Sequence, residues 1–338
     1  MPPQRVWAAL RGHRREDRWW GSSILHGKRG RSESPGSRAR PGATRGAGGR
    51  LTGTVGEGES TIPPQWRTPH VSFGCATENL VQAALAHGLK ALPQSSAGAG
   101  TDVRIAFEPT QAVASPLFAA IPKRQCTRAE FDGRPVSAEE LKLLEHAGTS
   151  EGVRMILLTE KAALEKVLEY VVQGNSVQLN DPAFIAELKH WIRFDSAEAV
   201  RSGDGLYSAA SGNPSVPRWL GSMLFGMLFT AARENKKYAK DIRSSAGIAV
   251  FVSQADGKTA QAANRIEVGR CYERFASQAA ALGIRNASIN QPVEGKALRP
   301  QFATYLGVGD RRPDLVVRFG RGPELPKSLR RPLAAVLV

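Results

Sequence analysis

Three cysteines in 338 residues (Cys75, Cys126 and Cys271) are few, far apart and odd in number. They build no disulfide framework, and no C-x-x-C pair is present to hold a metal. A reducing compartment is the expectation. No run of about 18 apolar residues occurs, so no helix is expected to span a membrane. The opening "VWAALRGHRRED" has too short an apolar run, broken by arginine, for a secretory signal. Arg14 and Arg15 are not followed by the apolar region an export signal needs. These absences make the cytoplasm the expected location.

Catalytic signatures are also missing. The six histidines form no H-x-x-x-H pair and none stands at ligand spacing from a cysteine or carboxylate. His190, next to Trp191, reads as a packing or surface residue. No G-x-S-x-G elbow appears, and no histidine neighbours Cys126 in sequence to activate it as a nucleophile. "VFVSQADGKTAQ" imitates a nucleotide-binding loop, but that loop needs a glycine five positions before Gly257 and Val252 stands there. Without the glycine-rich cradle the backbone amides cannot converge on phosphates. Asp256 and Thr259 read instead as turn and cap residues.

What is abundant is positive charge, a formal +15, and it is unevenly spread. Residues 1–70 hold 13 Lys and Arg against 5 Asp and Glu, a net of +8, and the other 268 residues carry the remaining +7. Residues 1–66, rich in Gly, Arg, Ser and Pro, show neither helical nor strand periodicity. Such a segment buries too little apolar surface to offset its ordering entropy, so disorder is expected. Its charge suits non-specific nucleic-acid contact at most, not specific recognition.

Order is expected from about Val71. "FGCATENLVQAALAHGL" has helical spacing and a stop at Gly88. "DVRIAF" reads as a strand. "VSAEELKLLEHAG" carries a capping box, Ser137 with Glu140, and ends at Gly148. "VRMILLT", "GIAVFVS", "RNASIN" and "DLVVRFG" read as further strands. Helices are expected at "EKAALEKVLEYVVQG", at "PAFIAELKHWIRF" with Pro182 in its first turn, over 220–237, over 259–282 and near "RPQFATYLGV". "RSGDGLYSAASGNPSVPRW" is a loop long enough to carry function. Helices outweigh strands and alternate with them irregularly, which predicts an α+β fold built on a mixed sheet flanked by helices.

Two basic knots and one turn remain unexplained by this fold. "KRQCTRAEFDGRP" sets Arg124, Cys126 and Arg128 two residues apart, and "PKSLRRP" gathers Lys327, Arg330 and Arg331. "NQPVEGKALRP" puts Pro292, Val293, Glu294 and Gly295 after a strand, where glycine lets backbone approach a flat ligand. Each alone reads equally well as a solvated face or an ordinary turn. In this order they resemble the nitroreductase superfamily of FMN-binding oxidoreductases. That family carries, on an early helix, a basic–x–Ser–x–basic motif, then a Phe and a Pro-Val turn into a helix, matched by Arg124, Cys126, Arg128 and "FDGRPVSAEELKLL". Its Pro-Ile-Glu-Gly turn is matched by "PVEG", and its closing basic pair by Lys327 with Arg330 or Arg331. "ELKHWIRFDSAEAVRSGDGL", "GNPSVP" and "LVVRFGRGPELPKSLRRPLAAVL" further resemble the Acg-type branch, which fuses two such halves in one chain.

The resemblance covers about residues 70–338. It implies a nitroreductase-like FMN domain over 121–338, a remnant of a first half over 67–120, and so an incomplete fused pseudo-dimer or a homodimer. It implies FMN held by Arg124, Cys126, Arg128, Lys327, Arg330 and Arg331 at its phosphate and by Pro292–Gly295 at its ring. NAD(P)H would be the co-substrate and a nitroaromatic, quinone or similar small molecule the electron acceptor. Two arginines suit a phosphate dianion because their forked donors stay charged. Cys126 replaces the family's Ser, a weaker donor. The family's N-terminal flavin-contacting segment has only "STIPPQW" as a faint counterpart. A binding protein that holds FMN with little turnover is the alternative implied.

Overall fold

The computed structural model of the chain describes residues 48–52, 69–95, 102–254 and 258–327. Its centre is a four-stranded sheet in the order β4 (Val153–Leu158), β7 (Gly247–Ser253), β9 (Arg312–Gly320), β8 (Arg285–Ser288). β7 is buried at every residue, as its apolar run demands of an inner strand. Side chains alternate strictly between the faces. Ala249, Phe251, Leu315, Val317 and Phe319 join the core under α9 (Lys258–Ala281) and α3 (Ala138–Gly148). Ile248, Val250, Val252 and Val316 join the opposite core, under α4 (Lys161–Leu179), α8 (Ala231–Arg243), α10 (Gln291–Glu294) and α11 (Leu298–Tyr305). Helices therefore cover both faces of one sheet, and the fold is α+β.

The expected sheet flanked by helices is present, and its pairing is mostly antiparallel. All three strand pairs of the central sheet are antiparallel. Parallel pairing is confined, among the described residues, to the two-residue strands β5 (Ile192–Arg193) and β6 (Leu206–Tyr207) and to one bridge between Cys126 and Asn286.

A smaller sheet, β1 (Gly48–Thr52), β3 (Asp102–Pro109) and β2 (Leu89–Ser95), is also antiparallel. β1 lies in the segment expected to be disordered, and β2 was not anticipated. Neither has clear alternation, and pairing with β3 supplies what local pattern lacks. The rest of residues 1–66 lies outside the described residues. α1 (Pro69–Ala86) packs between this sheet and α9. It crosses α9 so closely that a Cβ on Gly74 would sit 1.9 Å from the Ile266 carbonyl oxygen, and one on Gly269 2.0 Å from that of Val71.

The capping box is present, with Ser137 Oγ accepting from Glu140 N and Glu140 accepting from Ser137 N. Gly88 terminates α1 with φ +73°. α2 (Pro116–Ala120) precedes the first basic knot. α5 (Pro182–Trp191) starts on Pro182 as expected. The single helix expected over 220–237 is two, α7 (Arg218–Leu228) and α8, because Thr230 caps a new start by accepting from Arg233 N. The loop at 202–217 contains the end of α6 (Ser196–Ser202), β6 and a 3₁₀ turn over Ala209–Ser211.

Candidate functional site

The first basic knot is extended, not helical. Lys123 N and Arg124 N close the turn onto Ala120 O, after which the chain runs along the outer edge of β8, Thr127 N donating to Asn286 O at 2.8 Å. The edge of β8 offers unpaired backbone groups, and this segment satisfies them. The two-residue spacing then has a clear effect: Thr127 is fully buried, while Arg124, Cys126 and Arg128 are half-buried.

Lys327, the first residue of the second knot, comes beside the first knot. Gln125 Nε2 donates to Leu325 O at 2.6 Å and Leu325 N donates back to Gln125 Oε1 at 2.9 Å. Lys327 Nζ donates to Pro122 O at 3.4 Å. Arg124, Arg128 and Lys327 therefore belong to two neighbouring segments, although about 200 residues separate them. Arg330 and Arg331 lie outside the described residues, as do Asp256 and "STIPPQW".

Arg124 has a partner that sequence inspection missed. Its Nε stands 2.9 Å from Glu273 Oε1, and Glu273 is 2% exposed. Burial works against the arginine's charge, but Glu273 outweighs it and holds the guanidinium above its usual pKa. Glu273 also accepts from Asn79 Nδ2 at 2.8 Å. The terminal nitrogens of Arg124 have no hydrogen bond among the described residues. Arg128 Nη1 stands 3.5 Å from Ser211 Oγ, and a Cβ on Gly212 would lie 3.0 Å from Arg128 O. The 202–217 loop thus lies directly over Arg128.

The Pro-Val-Glu-Gly turn is the short helix α10, with Pro292 and Val293 buried. Gly295 has φ −73°, open to any residue, and only Leu298 approaches its Cβ position, so the fold itself does not require glycine there. Glu294 Oε2 accepts from Gln178 Nε2 at 2.7 Å, and burial pushes its carboxyl up. Gln291 Nε2 donates to Tyr238 Oη at 2.6 Å, while Gln291 Oε1 is buried without a hydrogen-bond partner. Burial pushes the Tyr238 hydroxyl up to about 12, partly offset by Arg128. Tyr238 therefore links the first basic knot to α10. Asn175, 5% exposed, extends this polar layer, donating to Asn235 at 2.7 Å. Polar residues on the inner side of α4, within "VVQGNSVQL", were the available signal.

Beneath the knot Arg318, 1% exposed, pairs with Asp241 at 3.3 Å and lies 4.2 Å over the Phe131 ring. It also donates to Ala129 O at 2.8 Å, fixing the backbone next to Arg128. All three cysteines are free, and burial raises the thiols of Cys75 and, to about 11, Cys271. Among the described residues no group of three or more potential ligands could hold a metal. No described helix is long and apolar enough to cross a membrane.

No protein-family model matches the chain, and no curated protein matches it. Several solved structures do resemble it in part. A nitroreductase with bound FMN from Bacteroides fragilis is 15% identical with a TM-score of 0.39, over 64% of this chain and 95% of that one. The NADPH:FMN oxidoreductase from Vibrio harveyi, complexed with NAD+, is 12% identical with a TM-score of 0.40, over 65% and 75%. An iodotyrosine deiodinase bound to FMN and 3-iodo-L-tyrosine is 10% identical with a TM-score of 0.40, over 64% and 96%. At this similarity they carry no argument about the site, which rests on this chain's own residues.

Proposed function

We propose that the chain binds FMN and acts as an NAD(P)H-dependent flavin oxidoreductase on nitroaromatic, quinone or similar small acceptors. The observation that carries this reading is the paired hydrogen bonding of Gln125 with Leu325, which sets Arg124 and Arg128 beside Lys327. The residues suit the group: Arg124 and Lys327 are half-buried cations at one place, and the orphaned Gln291 Oε1 awaits a donor such as a flavin imide. FMN, when bound, supplies the ring that takes hydride from NAD(P)H and passes electrons on in a ping-pong cycle.

The chain's own part is clamping and orientation. Glu273 aims Arg124 through its Nε, leaving the outer fork for a phosphate, at the cost of part of its charge. Arg128 and Lys327, with Arg330 and Arg331, supply the remaining positive charge, and Cys126 a weak donor between them. The α10 turn, through Pro292–Gly295, offers backbone to the ring. Within this reading residues 67–120 are the remnant of a first half and 121–338 the flavin domain. A second copy would complete the fused pseudo-dimer, and the cytoplasm is the location that fits.

The test is an absorption spectrum after incubation with FMN and desalting. A retained flavin band is expected. Arg128→Ala and Lys327→Ala should each weaken FMN roughly ten- to a hundredfold, from about 1.5–3 kcal/mol per charge-assisted bond. Folded protein that retains no flavin would sink the proposal. One observation favours a second reading, FMN held with little turnover: the 202–217 loop already covers Arg128. Retained flavin that NADPH and NADH fail to reduce, until that loop is shortened, would select it.

A further inference from the structure

At the far end of β9 the balance of charge is different. β9 begins at Arg312 and pairs there with Ser253, the last residue of β7. Arg312 and Arg318 are six residues apart along this strand, roughly 20 Å. Three arginines meet at the Arg312 end. Arg312 Nε stands 3.1 Å, and Arg265 Nε 3.9 Å, from the same oxygen of Asp314. Arg299, on α11, lies close enough to all three groups to feel their charge, and both its Nε and Nη2 donate to Val293 O.

Asp314 cannot serve three cations. It is 3% exposed, and its other oxygen accepts from Ser253 Oγ at 2.5 Å. Arg312 Nε is buried and not aligned to donate to it despite the short distance. Among the described residues the one other acid in range of Arg299 is Glu294, whose carboxyl is engaged by Gln178 and pushed toward its neutral form by burial. Burial and the two neighbouring guanidiniums bring Arg299 down to about 10, a sign of like charges crowded together. Among the described residues no hydrogen bond engages the terminal nitrogens of Arg265, Nη1 of Arg299 or Nη2 of Arg312. Arg265 is 25% exposed and Arg312 14%, so the cluster opens to solvent.

We infer that Arg265, Arg299 and Arg312 form a site for a phosphate-class oxyanion, separate from the Arg124–Arg128–Lys327 end. Forked arginine donors suit the oxygens of a phosphate, and a dianion would balance the cations that Asp314 leaves over. The site does not depend on the flavin reading.

Calorimetric titration of the flavin-free Arg128→Ala, Lys327→Ala protein, in which the other basic cluster cannot compete, with inorganic phosphate at ionic strength held constant with chloride tests it. One saturable site per chain is expected. Added to that background, Arg265→Gln and Arg299→Gln should each weaken it at least tenfold. Thermal melts of the same samples verify folding, and Arg265→Gln, at a partly exposed position, decides the matter if Arg299→Gln fails to fold. An adenosine monophosphate arm separates sources: equal affinity assigns the site to free phosphate, and a tenfold gain assigns it to a phosphate carried on a nucleotide. Absence of saturable phosphate binding, or equal binding by Arg265→Gln, overturns the inference. Saturable phosphate binding by the parent but not by the Arg128→Ala, Lys327→Ala protein would place the anion at the other end and overturn it as well.

Discussion

The two ends of β9 treat buried arginine in opposite ways. Near its C-terminal end each buried guanidinium has a carboxylate of its own, Arg318 with Asp241 and Arg124 with Glu273. At its start three arginines crowd one aspartate. A buried pair is a structural requirement, because removing one partner strands the other charge in a medium that solvates it poorly. A crowded cluster is a standing cost to the fold, and such costs gather where a ligand is bound.

Substitutions test that contrast. The largest effect is expected for Arg318→Ala, which strands Asp241 and unhooks the backbone at Ala129. A loss of about 3–5 kcal/mol in urea unfolding is expected. A loss below about 1 kcal/mol would mean that water already reaches the pair. Glu273→Gln should cost less, about 1–3 kcal/mol, since Gln keeps the acceptor for Asn79 and Arg124 retains some solvent. The same variant should tighten binding of a phosphate-bearing flavin, because Arg124 is no longer neutralised. Unchanged flavin affinity would remove Arg124 from the proposed clamp. The smallest effect is expected for Arg265→Gln in phosphate-free buffer, within about 0.5 kcal/mol of the parent or slightly stabilising. A marked destabilisation there would show that the cluster is an ordinary ion-pair network, erasing the contrast.

Much of the fold was legible locally. Ser137 and Glu140 announced the start of α3, Gly88 the end of α1, and the apolar run at 247–253 the central strand. These features depend on neighbours a few residues away, where cap geometry and side-chain periodicity act. Misreadings came where pairing at a distance decides. The strand at 48–52 exists through β3, and Thr230 divides a helix that composition alone runs together.

The candidate site followed the same division. The two-residue spacing of Arg124, Cys126 and Arg128 and the later Lys327 were visible in the sequence, as were Pro292, Val293, Glu294 and Gly295. Their partners were not: Glu273, Asp241, Tyr238 and Gln291 sit on ordinary-looking helices, and nothing local marks them as facing an arginine or a tyrosine. By itself the sequence determined the capped helices, the central strands and which segments carry excess charge, because those follow from short-range sterics and side-chain chemistry. Only the tertiary structure decided which arginines are neutralised and which are left in excess, because charge compensation depends on distance and burial across elements far apart in the chain.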